Sequence, residues 1–147
     1  MTRAAAIVAL LLLAAPPFPA AAEDIYVEAA TARMRSGPGT NYSILWEAPR
    51  NTPFEYLAKY KDWYAVRDFE GDVAWVQESV IGKGKAAVVT NKKANIRSAP
   101  SQESAIVFWV EKGYLFRVLD QKGEWYKVRD KDNSEGWVNA PLVWVSR

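Results

Sequence analysis

Apolar and polar residues alternate along short segments of this chain, and turn-forming residues separate these segments. Within residues 63–67, the apolar Tyr64 and Val66 alternate with Ala65 and Arg67. This period of two is typical of a half-buried β-strand. Turn signals rich in Gly, Asn and Asp occur at residues 37–39, 61–62, 70–72, 122–123 and 133–136. No segment has a sustained helical period, so the pattern predicts an all-β protein.

The two halves of the chain repeat one another at a constant offset of 62 residues, which is 97 − 35 for two of the repeated arginines. The pairs related by this offset include Arg35 and Arg97, Ile44 and Ile106, Trp63 and Trp125, and Trp75 and Trp137. We expect about five short strands in each unit, a size that suits a small, partly open β-barrel. The sequence therefore predicts two tandem domains at residues 25–81 and 87–146, joined by a linker at 82–86.

The first 22 residues have the pattern of a secretory signal peptide. Arg3 precedes an apolar run over residues 4–15, and small residues lead up to Ala22. This run is shorter than the roughly 20 residues that span a bilayer, and no later segment approaches that length. We therefore expect cleavage near Ala22 and a periplasmic or secreted mature protein without a transmembrane segment.

The absence of cysteine and histidine narrows the possible chemistry. No Ser-His or Cys-His nucleophile can form, and the usual zinc ligands are missing. A calcium loop over residues 130–136 is disfavoured because Glu135 occupies the position of the loop glycine. We predict no catalytic residue, no metal site and no cofactor.

The charged residues are interspersed along the chain, with 19 Lys and Arg against 17 Asp and Glu and a formal net charge of +2. Removal of Arg3 with the signal peptide would leave about +1 on the mature chain. This even distribution favours neither a nucleic-acid partner nor a polybasic membrane patch.

The repeated blocks resemble those of the bacterial SH3-like domain. They are Ala-Arg-Met-Arg-Ser-Gly-Pro-Gly at 32–39, Trp-Tyr-Ala-Val-Arg-Asp at 63–68 and Trp-Val at 75–76, each with a counterpart in the second unit. The chain is similar in particular to exported two-repeat proteins of this family. Ala74 and Ala99 stand where the family usually has glycine, which leaves open whether the two turns share one backbone shape.

The resemblance implies an SH3-like β-barrel in each unit and an accessory role in the cell envelope. Members of the family commonly target cell-wall enzymes to peptidoglycan peptides, and this chain carries no catalytic partner. We therefore expect a monomeric, non-enzymatic module that binds a cell-wall peptide or another envelope component. The alternative is a structural or regulatory module that docks an envelope protein, such as a wall enzyme or a sensor.

Six aromatic residues are candidate ligand contacts: Tyr42, Trp46, Tyr60, Trp63, Trp109 and Trp125. Tyr42, Tyr60 and Trp109 have non-aromatic equivalents in the other unit, so the barrel does not require an aromatic ring there. One residue of each adjacent pair, Trp46 with Glu47 and Phe108 with Trp109, should point outward. Trp109 could instead pack against the other domain, and Trp63 and Trp125 could hold the barrels together.

Two arginines, Arg35 and Arg97, are candidate carboxylate clamps, because a guanidinium binds a carboxylate in a forked geometry. Both are followed by serine in a turn that is repeated in the second unit. They could therefore pin the turn instead of contacting a ligand.

Overall fold

The computed structural model describes residues 23–146, and each strand of its first half has a counterpart 62 residues later. The strands of the first domain are β1 (Asp24–Val27), β2 (Thr31–Arg35), β3 (Ile44–Pro49), β4 (Pro53–Tyr60), β5 (Trp63–Arg67), β6 (Val73–Gln77) and β7 (Ile81–Lys83). Those of the second domain are β8 (Ala86–Val89), β9 (Lys93–Arg97), β10 (Ile106–Glu111), β11 (Leu115–Lys122), β12 (Trp125–Arg129), β13 (Glu135–Asn139) and β14 (Val143–Val145). One 3₁₀ turn precedes the last strand of each domain, at Glu78–Val80 and Ala140–Leu142.

Each domain is one antiparallel sheet with the same strand order. The order is β3-β2-β6-β5-β4-β1-β7 in the first domain and β10-β9-β13-β12-β11-β8-β14 in the second. The predicted fold class, an all-β protein with two tandem small barrels, is confirmed. The predicted signal peptide lies outside the described residues, which contain no helix long and apolar enough to cross a membrane.

The prediction of about five strands per unit was wrong, because each sheet has seven. The first and last strands of each domain are short and pair with one another, β1 with β7 and β8 with β14. This pairing also draws in the segment that was expected to be a linker. Gly82 lies in β7 and Ala86 begins β8, so only Gly84 and Lys85 lie between the two sheets.

Alternation along the strands builds a separate apolar core in each domain. In β2, Ala32 and Met34 are buried, whereas Thr31 and Arg33 are exposed. The first core also contains Ile25, Val27, Ala48, Phe54, Tyr64, Val66, Ala74 and Val76. The second contains Ala87, Val89, Ala94, Ile96, Val110, Phe116, Val118, Val128 and Val138. Burial of such side chains contributes about 1.5–3 kcal/mol for each large one, which lets these domains form without disulfides.

The two turns after β2 and β9 share one backbone shape. The Ser36 amide donates to the Ser43 carbonyl at 2.9 Å, and its counterpart Ser98 donates to Ala105 at 2.9 Å. The replacement of Gly37 by Ala99 in the second domain therefore leaves the backbone hydrogen bonds of the turn intact.

The junction between the domains is hydrogen-bonded to both of them. The Gly84 amide donates to the Asp24 carbonyl of the first domain, and the Lys85 carbonyl accepts from the Val118 amide of the second, each at 2.9 Å. Gly84 has a φ of +136°, a conformation that favours glycine. The connection therefore follows a defined path between the two sheets.

One side-chain contact spans this junction. The Arg117 guanidinium lies over the Tyr26 ring, with its central carbon 4.1 Å from the ring centroid. Its Nη1 also donates a hydrogen bond to the Tyr26 hydroxyl at 2.5 Å. Because Tyr26 is only 6% exposed, water competes little for this contact, which couples the first domain to the second.

Candidate functional site

A groove of about 330 Å³ lies on the first domain beside the turn that follows β2. We call it the first groove, and its lining residues are Thr31, Arg33, Arg35, Thr40, Trp63, Gln77 and Val80. Alternation along β2 places its three lining residues on one face of the strand. The sheet order β2-β6-β5 then brings this face close to Trp63 at the start of β5 and to Gln77 at the end of β6.

The second domain carries a smaller groove of about 190 Å³ at the equivalent positions. This second groove is lined by Lys93, Asn95, Arg97, Gln102, Trp125, Asn139 and Leu142. Each of these seven residues is the 62-residue counterpart of one that lines the first groove. The groove is therefore a property of the repeated unit, although its side chains differ between the copies.

Both grooves combine positive charge with an indole side chain. Arg33 and Arg35 line the first groove, and Lys93 and Arg97 line the second, with no acidic residue among the described residues that line either one. Trp63 is largely buried, with 9% of its surface exposed, and Trp125 is partly buried. Such a groove suits a ligand that carries a carboxylate beside an apolar group.

The sequence pattern of the family described as "Bacterial SH3 domain" matches residues 28–83 and 90–145. The chain belongs to the bacterial SH3 domain family. The two matches confirm the resemblance found in the sequence, and each covers one of the two sheets except for its first strand, β1 or β8. A bacterial SH3 domain is a binding module.

Proteins similar to this chain include two that are named for cell-wall chemistry. The chain is 23% identical over 132 residues to "Putative N-acetylmuramoyl-L-alanine amidase YrvJ" of Bacillus subtilis. This match covers 78% of this chain and 25% of that protein. It is 31% identical over 52 residues to "Probable cell wall amidase LytH" of Staphylococcus epidermidis, which covers 35% of this chain and 18% of that one. The chain thus spans a quarter or less of the length of these relatives.

Similar solved structures include NlpC2 from Trichomonas vaginalis, with 15% identity and a TM-score of 0.37 over 83% of this chain and 48% of that one. An NlpC/P60 family protein from Bacillus cereus has 13% identity and a TM-score of 0.39, over 84% of this chain and 56% of that one.

The two arginines predicted as carboxylate clamps pin the turn in each bacterial SH3 domain. Arg35 Nη1 donates to the carbonyls of Thr40 and Tyr42 at 3.1 and 2.8 Å. Arg97 Nη1 donates to those of Gln102 and Ser104, both at 2.9 Å. Each guanidinium has five N–H donors, and these bonds use only Nη1. The same arginine can therefore hold the turn and present donors to the groove that it lines.

The remaining aromatic candidates lie outside the two sets of groove-lining residues. Trp46 is partly buried and packs against the core of the first domain. Tyr60 is 53% exposed at the end of β4, and Tyr42 is 43% exposed beside the turn. Trp109 is 54% exposed, and the Lys93 ammonium lies 4.8 Å from its ring centroid. Through Lys93, Trp109 lies beside the second groove, and all four residues remain predicted ligand contacts.

Sequence reasoning missed several residues that line the grooves. Arg33 and Lys93 carry charge into them, and Gln77 and Asn139 supply amide groups. The alternation within β2 could have revealed Arg33, because residues two apart on a strand share a face. No local pattern distinguishes Gln77 or Asn139, which reach the grooves only through the strand order.

Proposed function

We propose that this chain is a non-enzymatic, monomeric binding module of the bacterial cell envelope that recognises carboxylate-bearing peptides of peptidoglycan through its two grooves. The observation that carries the proposal is the repetition of one groove at seven equivalent positions, with two cationic residues and one tryptophan in each copy. The predicted signal peptide and the cell-wall names of the relatives support a location outside the cytoplasm.

The chemistry of peptidoglycan peptides matches these grooves. The stem peptides are rich in carboxylates, which guanidinium and ammonium groups bind through charge-assisted hydrogen bonds. The exposed part of Trp63 or Trp125 offers an apolar surface for the aliphatic parts of such a peptide. Two shallow grooves on one body would bind a repeating polymer more tightly than either groove alone, through effective concentration.

A sedimentation assay with purified peptidoglycan sacculi tests the proposal. The test variant combines Arg33→Gln with Lys93→Gln, which removes one exposed cation from each groove. The control combines Lys92→Gln with Lys112→Gln, two exposed lysines outside both grooves, and matches the change in net charge. We expect the test variant to bind about tenfold more weakly because each charge-assisted bond contributes about 1.5–3 kcal/mol before solvent screening.

The same assay tests the exposed aromatic residues. A variant with Tyr42→Ala and Trp109→Ala should also lose retention if these rings contact the ligand beside the grooves. Circular dichroism must show that each variant is folded. Equal retention of the wild type and the Arg33/Lys93 variant would refute the groove proposal, as would a folded wild type that does not sediment with sacculi.

Exposed apolar residues favour a second candidate function, docking of an envelope protein. Ile44 and Leu45 on β3, and their counterparts Ile106 and Val107 on β10, are 46% to 55% exposed. Both strands lie at the edge of their sheets, where backbone groups can pair with another chain. A folded protein that ignores sacculi but captures a wall enzyme or sensor through these strands would support this function.

A further inference from the structure

Two adjoining cavities of about 320 and 390 Å³ lie between the domains. Both are lined by Arg50 and Asn51 of the first domain and by Asp130 and Lys131 of the second. We call the two cavities together the interdomain cleft. Their volumes fall within the range of small-molecule sites, about 300–1,000 Å³.

Asn51 is a buried polar residue that lines both cavities. It is 4% exposed, and its side chain makes no hydrogen bond to any residue that the structure describes. Its φ of +71° is one that glycine adopts more readily, and its counterpart in the second domain is Gly113, with a φ of +93°. The fold therefore accepts glycine at this turn. In the first domain, the Asn51 side chain instead places two N–H donors and an acceptor oxygen in the cleft, without a hydrogen bond to another described residue.

Several cationic residues line the same two cavities as Asn51. Within residues 23–146, Arg50, Arg117 and Lys131 have no carboxylate within the 4.0 Å of an ion pair. Arg129, which also lines the cleft, is paired with Glu135 at 2.7 Å. The three unpaired cations outnumber the two carboxylates that line the cleft.

Of these two carboxylates, that of Asp130 is already engaged inside the second domain. Its Oδ1 accepts from the amides of Asp132 and Ser134, both at 2.9 Å. Its Oδ2 accepts from the Tyr114 hydroxyl at 2.9 Å, and Asp130 is only 6% exposed. Glu28 remains as the exposed carboxylate of the cleft.

The repeat shows that the barrel fold does not require these charges. The equivalent of Arg117 in the first domain is Glu55, and that of Lys131 is Phe69. Arg50, in contrast, corresponds to another cation, Lys112. Two of the three unpaired cations therefore occur only where the second domain faces the first.

We propose that the interdomain cleft binds a small ligand of monosaccharide size that carries a phosphate or carboxylate group. Arg50, Arg117 and Lys131 attract the anion, and the Asn51 amide bonds a polar group of the ligand. Ala30, Pro49 and Leu115 supply an apolar wall on one side. This site is separate from the two grooves, and its existence does not depend on peptidoglycan binding.

Nuclear magnetic resonance titration of the ¹⁵N-labelled protein tests the proposal at constant ionic strength. The probes are glucose 6-phosphate, glucuronate and, as the neutral control, glucose. We expect a charged sugar to shift the side-chain amide signals of Asn51 at millimolar concentration. The indole signals of Trp63 and Trp125 report binding in the two grooves separately, so the two sites are distinguished in one titration. A larger effect of glucose 6-phosphate indicates a phosphate ligand, and a larger effect of glucuronate indicates a carboxylate.

Two variants keep the test independent of folding. Asn51→Gly removes the amide at a position whose counterpart is already glycine, and Lys131→Gln removes an exposed charge. Each should weaken binding about tenfold. Lys112→Gln, the counterpart of Arg50 outside the cleft, should bind like the wild type. Binding is measured from the side-chain amide signals of Asn51 in the wild type and in the two lysine variants. In Asn51→Gly, it is measured from the backbone amide signals of residues 113–115.

Three results would overturn the proposal. One is the absence of any shift at Asn51 with both charged sugars. Another is an equal shift of the Asn51 signals with glucose, which would show that binding does not depend on the charge of the sugar. The third is unchanged binding in both Asn51→Gly and Lys131→Gln.

Discussion

The aromatic ring of Tyr42 lies over Gly37, in the space that a β-carbon on residue 37 would occupy. The second domain has Ala99 and Ser104 at these two positions, and its turn keeps the same backbone hydrogen bonds. Gly37 has no positive φ, so it is required here for space and not for its backbone conformation. The two differences between the repeats thus form one compensated pair.

This pair predicts a rescue experiment in the first domain. Gly37→Ala should lower the free energy of unfolding by about 1–3 kcal/mol, because the new methyl group overlaps the Tyr42 ring. Adding Tyr42→Ser should restore most of the loss, since it reproduces the second domain. Urea unfolding monitored by tryptophan fluorescence measures both effects. A Gly37→Ala variant as stable as the wild type would contradict this prediction.

A second compensated pair lies in the cores. A β-carbon on Gly136 would overlap Cγ2 of Ile96, whereas the first domain combines the buried Ala74 with Met34, which is not β-branched. Gly136→Ala should therefore destabilise the second domain by about 1–3 kcal/mol. Ile96→Met should suppress the part of this loss that comes from Ile96, while the contact of the new methyl group with the Arg97 carbonyl oxygen at 2.9 Å remains. Thermal unfolding of the two single variants and the double variant tests the coupling. Additive effects of the two substitutions would rule it out.

The contact of Arg117 with Tyr26 predicts that the two domains tumble as one body. Arg117→Leu removes the hydrogen bond and the cation–π contact, and should lower the free energy of unfolding by about 1–3 kcal/mol. Residual dipolar couplings should fit one alignment tensor in the wild type and two different tensors in the variant. Glu55→Gln is the matched control, because Glu55 is the counterpart of Arg117 but pairs with Arg67 inside the first domain. Two tensors in the wild type would contradict a rigid junction.

The hydrogen bond from Tyr114 to Asp130 predicts a loss of stability at high pH. Burial, and then the bond to the Asp130 carboxylate, raise the pKa of Tyr114 to about 12, from 10.0. Because the folded state holds this proton more tightly than the unfolded state, the bond stabilises the fold fully below pH 10 and loses its contribution as the pH rises toward 12.

Tyr114→Phe should therefore lower the free energy of unfolding by about 1–3 kcal/mol at pH 8, and this difference from the wild type should shrink above pH 10. Urea unfolding at a series of pH values measures it. The control is Tyr60→Phe, which alters an exposed tyrosine without a hydrogen bond to a carboxylate in the described residues. A cost for Tyr114→Phe that is the same at pH 8 and pH 11 would contradict the assignment.

Particular residues show how much of the site could be predicted from the sequence. Arg35, Arg97, Trp63 and Trp125 were candidates because they repeat, and the structure places one arginine and one tryptophan in each groove. The additional role of the arginines in the turn was an open alternative, since only the atomic distances distinguish a pinned turn from a free clamp. Nothing in the sequence indicated a role for Asn51, because an asparagine between two strands is an ordinary turn residue.

The sequence by itself determined the two repeated β units, their turns and the family of this protein. These follow from alternation over a few residues and from motifs whose order is visible along the chain. Only the tertiary structure decided the grooves, the contact of Tyr26 with Arg117 and the interdomain cleft. The physical reason is that each of these features joins residues from strands or domains far apart in sequence, and its charge and shape exist only when packing makes them neighbours.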